Sequence, residues 1–188
     1  QHPLLYHRPF VLTIHDLTLV DFMNARSEGF IKNIYKQRIK PWTFNMVLNS
    51  GINRSKQIIT PTDYIKKQLS SRYGAGLKKL TRTYEAGEHL SATPAPYTPM
   101  KKQKFLLYVG NAYPYKNLEN LLDAFHKLGR KDLHLVLAGK PDYFYEELQE
   151  KADQENIPGV HFAGFVPDAE LAWLYQHAQS YVFPSLSE

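Results

Sequence analysis

The stretch Leu107–Asn120, LYVGNAYPYKNLEN, decides the fold. An apolar strand runs into Gly110, a loop of five residues follows, and Lys116 stands directly before a helix that Asn117 is placed to cap. Free amides at a helix start favour anions, and a lysine there adds a full positive charge. Gly110 would let a phosphate approach the backbone closely. Taken alone, the segment also reads as a plain strand–helix turn with an exposed lysine. It is neither a Walker loop nor a dinucleotide fingerprint, since the required glycine frames are missing.

Working outward, the pattern is regular. Phe105–Val109, Leu133–Ala138, Val160–Ala163 and Ser180–Phe183 read as buried strands, and Asn117–Leu128, Tyr143–Gln154 and Asp168–His177 as helices. Strands alternating with helices predict a parallel sheet with right-handed crossovers. Upstream, Pro9–His15, Gln57–Thr60 and Leu80–Thr83 read as strands. One helix is expected over Asn24–Lys40 and a second from Pro41, in its first turn, to about Ile52. A third helix, capped by Thr62 or Asp63, should end at Gly74–Gly76. Three prolines within Ser91–Lys104 mark a stiff connector. The expected organisation is α/β, with parts of two Rossmann-like domains: residues 1–95, a linker 96–104, and residues 105–188.

Composition narrows the function. With 188 residues, 43% hydrophobic, the chain can bury a core. No apolar run approaches the roughly 20 residues of a membrane span. The absence of cysteine excludes disulfides and thiolate metal sites, and fits a cytoplasmic setting. The eight histidines suggest no metal cluster. Residues 1–98 hold 14 Lys and Arg against 6 Asp and Glu, whereas residues 99–188 hold 9 against 12. Such asymmetry points to a polyanionic ligand or an anionic membrane surface near the first half, or to ordinary solvated charge. Nucleic acid is not expected, because no recognition-helix, zinc-finger or ribonucleoprotein signature occurs. The basic residues flanking apolar positions between Phe30 and Ile52 fit either a helix packed on its own domain or one resting at the inner face of a membrane.

Five segments, in order, carry a family resemblance: TIHDL (Thr13–Leu17), LYVGN…YKNLENLLDAF (Leu107–Phe125), LVLAGKPD (Leu135–Asp142), VHFAGFVPDAELAWLY (Val160–Tyr175) and VFPSLSE (Val182–Glu188). Together they resemble the retaining family 4, or group 1, glycosyltransferases of the GT-B fold, in wording close to mannosyltransferases of bacterial surface polysaccharide assembly. The resemblance implies a nucleoside-diphosphate sugar as donor substrate, a glycan or lipid-linked acceptor, and no cofactor or required metal. It places Gly110, Asn111, Lys116 and Asn117 at the donor diphosphate, with Asn111 standing where an arginine usually shares the load. The turn Gly164, Phe165 and Val166 would meet the nucleobase. Glu188 matches the first of two glutamates eight residues apart and would contact the donor sugar. His15 and Asp16 match a His-Asp pair that faces that sugar across the domain cleft, with Asp16 orienting the histidine or meeting the acceptor. Without the resemblance, that pair reads as a satisfied polar strand end.

Because Glu188 follows a strand with no covering helix, the chain reads as a piece of a longer protein, truncated at both ends. Two other readings stay open: another GT-B enzyme such as a nucleotide-sugar epimerase, and a non-catalytic nucleotide-sugar-binding module.

Overall fold

The computed structural model describes residues 6, 8–18, 20, 21, 34–87 and 92–187, the side chains of 34–41 and 77 excepted. Two compact units divide at residues 87 and 88.

The first unit contains β1 (Val11–Thr13), α1 (Ile34–Arg54), β2 (Gln57–Thr60), α2 (Asp63–Tyr73) and β3 (Leu80–Arg82). Its sheet is parallel in the order β1-β2-β3. Ile14, Leu17, Ile52, Ile58, Ile65, Leu69 and Leu80 form its core. At the start of α2, Thr62 is the cap, its side chain accepting from the Ile65 amide at 3.2 Å. One expectation fails in this unit. Pro41 does not open a second helix but lies inside α1. A proline removes one backbone bond without ending a helix whose remaining ladder and packing hold. The part of the expected Asn24–Lys40 helix before residue 34 lies outside the described residues.

The second unit is built from β4 (Lys104–Val109), α3 (Leu118–Leu128), β5 (Leu133–Ala138), α4 (Tyr143–Gln154), β6 (Val160–Gly164), α5 (Asp168–His177) and β7 (Ser180–Tyr181). Every pairing is parallel, in the order β6-β5-β4-β7. Alternation along the strands separates two buried faces. Tyr108, Leu135 and Leu137 pack with Leu118, Leu122 and Phe125 of α3 and Tyr145 and Leu148 of α4. Phe105, Leu107, Val136 and Ala138 pack instead with Trp173 and Leu174 of α5. Met100 joins this second face at 1% exposure, with Tyr97 against it, so the expected linker is packed onto the second unit from Tyr97 to Met100. β7 is shorter than expected, although the Val182 amide still reaches the Leu107 carbonyl at 2.8 Å.

This strand order fixes where a ligand belongs. From β4 the chain moves outward through β5 to β6, then α5 returns it to the other side of β4. The reversal falls between β4 and β7. In open parallel sheets, ligands bind beside the carboxyl ends of strands at such a switch point.

At the other end of the sheet, His134 Nδ1 and His161 Nε2 lie 2.9 Å apart on neighbouring strands. Burial, reinforced by His134, pushes the His161 imidazole below its ordinary value of 6.5. The unfolded chain therefore takes up this proton first as pH falls, so folding stability is full above about 6.5 and declines below it. We expect the melting temperature to drop between pH 7.5 and 5, and His161→Gln to flatten that drop. An identical pH dependence in wild type and variant refutes the assignment.

Candidate functional site

The loops that follow β4 and β7 meet at the switch point. After β4, the chain passes through Gly110 to a short 3-10 turn, Pro114–Lys116, and then into α3. Gly110 has φ 152°, and a Cβ there would fall 2.9 Å from the Tyr108 hydroxyl oxygen, so only glycine fits. The Tyr108 hydroxyl donates to the Asn111 carbonyl at 2.7 Å, and the Tyr145 hydroxyl to the Gly110 carbonyl at 2.8 Å. Burial pushes the Tyr145 phenol up, which keeps it a protonated donor.

After β7, residues 182–187 close onto this turn. The Leu186 amide donates to the Tyr115 carbonyl at 2.8 Å, and Asn117 Nδ2 donates to the Pro184 carbonyl at 3.1 Å. The Ser185 hydroxyl lies 3.2 Å from the Tyr115 carbonyl and 2.9 Å from that of Ser187. Lys116 Nζ stands 4.8 Å from the centroid of the Phe183 ring and 5.2 Å from that of Tyr115. Its ammonium is thus held against the β7 loop, at the point of strand reversal.

Asn117 works differently from expectation. It adopts a left-handed conformation, φ 63°, and makes no side-chain cap bond. Its amide clasps the β7 loop instead, and its Oδ1 accepts from Asn120 Nδ2 at 2.6 Å. The amides of Leu118, Glu119 and Asn120 precede the first helical bond, Leu121 N–H to the Asn117 carbonyl, and form the orphan first turn of α3. A cavity of about 160 Å³ beside this turn includes Glu119 and Glu147 in its lining, a charge that disfavours a diphosphate there.

The nucleobase candidates lie at the end of β6, two strands away. The Gly164 carbonyl accepts from the Gly139 amide at 2.9 Å. Phe165 is 78% exposed, offering a flat ring face. Val166 is only 7% exposed and packs in the core with Trp173, so its side chain is unavailable to a base. Asn111 is exposed, and its neutral amide leaves Lys116 as the cation of this loop. Glu188 lies outside the described residues.

In the first unit, His15 and Asp16 follow β1, and each is hydrogen-bonded elsewhere, which leaves the acceptor as the expected role for Asp16. Asp16 Oδ1 accepts from the Thr18 amide at 2.9 Å, capping its own turn. His15 Nδ1 bonds to Glu85 Oε1, beyond β3. Sequence reasoning missed Glu85, and also the clasp of Ser185 and Leu186 on Tyr115. Neither leaves a periodic or motif signal, because each joins positions some 70 residues apart. Among the described residues, no three His, Asp or Glu side chains gather to hold a metal.

Comparison with known proteins bears on the family and the fold. The family model described as Glycosyl transferases group 1 matches residues 92–188. O-antigen chain mannosyltransferase B of Escherichia coli is 23% identical over 95% of the chain and 47% of its own length. O-antigen chain mannosyltransferase RfbU of Salmonella typhimurium is 24% identical over 99% of the chain and 48% of its own length. The chain therefore spans about half the length of the curated relatives it matches. Among solved structures, Anabaena Alr3699/HepE in complex with UDP-glucose superposes with a TM-score of 0.67 at 14% identity, covering 95% of this chain and 47% of that one. WaaG, a glycosyltransferase involved in lipopolysaccharide biosynthesis, gives 0.65 at 17% identity, covering 95% and 51%. Both share the fold: α/β, GT-B type, with parallel sheets. With more than half of its length matched by the family model, the chain belongs to the group 1 glycosyl transferases.

Proposed function

We propose that the intact protein transfers mannose or a similar hexose, with retention, from a nucleoside-diphosphate sugar to a glycan or lipid-linked acceptor in cell-surface polysaccharide assembly. One observation carries the reading: Lys116 stands at the switch point directly before α3, held against the loop that follows β7. The bond from the anomeric carbon to the diphosphate breaks, a bond to the acceptor oxygen forms, and the acceptor hydroxyl passes its proton to the departing diphosphate oxygen. Negative charge grows on the departing diphosphate, and in this reading the Lys116 ammonium, already held at the turn, stabilises it. In this reading Gly110 admits the phosphate, Asn111 and Asn117 frame it, and Phe165 with the backbone of Gly164 and Val166 takes the base. Glu188 contacts the donor sugar, and His15 and Asp16 serve the sugar and acceptor. No metal is assigned a step.

The relatives named as O-antigen mannosyltransferases support the hexose and the pathway class. Among the described residues no helix is long and apolar enough to cross a membrane. The basic surplus of residues 1–98 supports a seat on the anionic inner surface, on the cytoplasmic side where nucleotide sugars are made.

The test is transfer by the full-length protein from GDP-mannose and UDP-glucose to lipid-linked or oligosaccharide acceptors, in EDTA, with the product anomer read by NMR. Asn111 favours a second reading, a nucleotide-sugar-binding module, because a single lysine is a weak clamp for a leaving group. Donor binding with neither transfer nor donor hydrolysis would select it.

A further inference from the structure

The carboxyl edge of the first sheet carries a contact that sequence spacing does not announce. His15 follows the end of β1, Glu85 follows the end of β3, and β2 lies between those strands. His15 Nδ1 hydrogen-bonds Glu85 Oε1 across this edge. The two side chains are 66% and 61% exposed, and exposed pairs of this kind add little to stability. The consequence lies in the chemistry of the ring. An ionised carboxylate only accepts, so Nδ1 carries the hydrogen, and in the neutral imidazole Nε2 is then an acceptor. A free imidazole prefers the opposite arrangement.

We propose that Glu85 is the positioning residue for His15, fixing the Nδ1–H tautomer so that Nε2 accepts a hydrogen bond from a sugar hydroxyl. The inference rests on the reading of the protein as a sugar transferase and on the carboxyl edge as the ligand side of a parallel sheet. Asp16 does not supply this partner, since its Oδ1 accepts from Thr18. A phosphate fits the pair poorly, because a ring lone pair and a carboxylate both repel it. A hydroxyl supplies the proton that Nε2 lacks.

Nitrogen-15 NMR of histidine-labelled full-length protein, at a pH where the ring is neutral, tests the tautomer. The expected result is Nδ1–H for His15 in wild type and Glu85→Gln, whose amide oxygen still accepts, and Nε2–H in Glu85→Ala. Transfer kinetics give the second arm. Glu85→Ala should lower kcat/KM roughly tenfold or more, the scale of a misplaced reacting group, with melting temperature and UDP affinity unchanged, while Glu85→Gln retains most of the rate. In a His15→Ala background, Glu85→Ala should cost nothing further. An Nε2–H ring in wild type, or an equal loss with and without His15, overturns the proposal. A wild-type protein with no transfer counts against the function proposed above, and the pairing then stands or falls on the tautomer.

Discussion

Replacing Lys116 by alanine in the full-length protein weakens binding of a nucleoside diphosphate, titrated as UDP and GDP by calorimetry, by about 1.5–3 kcal/mol, the range for a hydrogen bond to a charged group. That is roughly a ten- to hundredfold loss in affinity. The size follows from how the ammonium is held. Its contacts with the Phe183 and Tyr115 rings, at 4.8 and 5.2 Å, are cation–π contacts worth about 0.5–1 kcal/mol at an exposed site. They hold the ammonium against the β7 loop, where a diphosphate at the switch point would meet it. Part of the alanine effect could therefore come from a loosened β7 loop. Lys116→Met separates the two causes, since it keeps the stem against the rings and removes only the charge. Methionine should bind as weakly as alanine while melting at the wild-type temperature. Equal affinity of wild type and both variants for the diphosphate would remove Lys116 from the phosphate site.

The parts of this fold legible in sequence are those where one short-range rule dominates. β5 reads directly because a strand covered on both faces is a mostly apolar run, here LHLVLA with His134 as its one polar residue, set between Asp132 and Gly139. α4 falls on the expected Tyr143–Gln154, and the structure supplies the reason for its start: the Asp142 carboxylate accepts from the Phe144 and Tyr145 amides at 3.1 Å. Where two local rules compete, the longer-range one wins. Pro41 suits a first turn, yet the ladder continues through it. Asn117 suits a cap, yet its left-handed backbone turns the side chain to the Pro184 carbonyl. The candidate site is legible where it is a local turn, from Gly110 to Lys116. It is illegible where it is a tertiary clasp, as with Glu85 on His15 and Ser185 beside Tyr115. Nothing in the spacing of these residues encodes their meeting; the strand order brings them together.

Gly139 lies in the LVLAGKPD segment without an expected role there, yet it controls the phosphate turn, and its substitution should be the most damaging to stability. β5 ends at Ala138, whose carbonyl accepts the Gly110 amide at 2.9 Å, and the Gly139 amide donates to Gly164 at the same distance. The backbone of residue 139 is thus fixed between the ends of β4 and β6. A Cβ there would stand 2.0 Å from the Gly110 carbonyl oxygen and 2.5 Å from the Tyr145 hydroxyl oxygen. Tyr145 is 5% exposed and has no room to swing away, and the Gly110 carbonyl is main chain. Relief requires the turn after β4 to shift as a body. Gly139→Ala should therefore cost about 3 kcal/mol, the upper part of the usual range for overpacking. For a unit of this size that lowers the melting temperature by more than about 10 °C. Tyr145→Phe alone should cost about 1 kcal/mol for the lost hydroxyl bond. In the Gly139→Ala background it should cost less, because it also removes one of the three clashing atoms, leaving the Gly110 carbonyl oxygen at 2.0 Å and the ring Cε2 at 2.9 Å, and neighbouring sites of this kind are non-additive. Displacing Gly110 also moves the approach to Lys116, so the alanine variant should bind UDP or GDP more weakly at a temperature where it is still folded. A variant with wild-type melting temperature and diphosphate affinity would show that the three strand ends are not packed as tightly as these distances require.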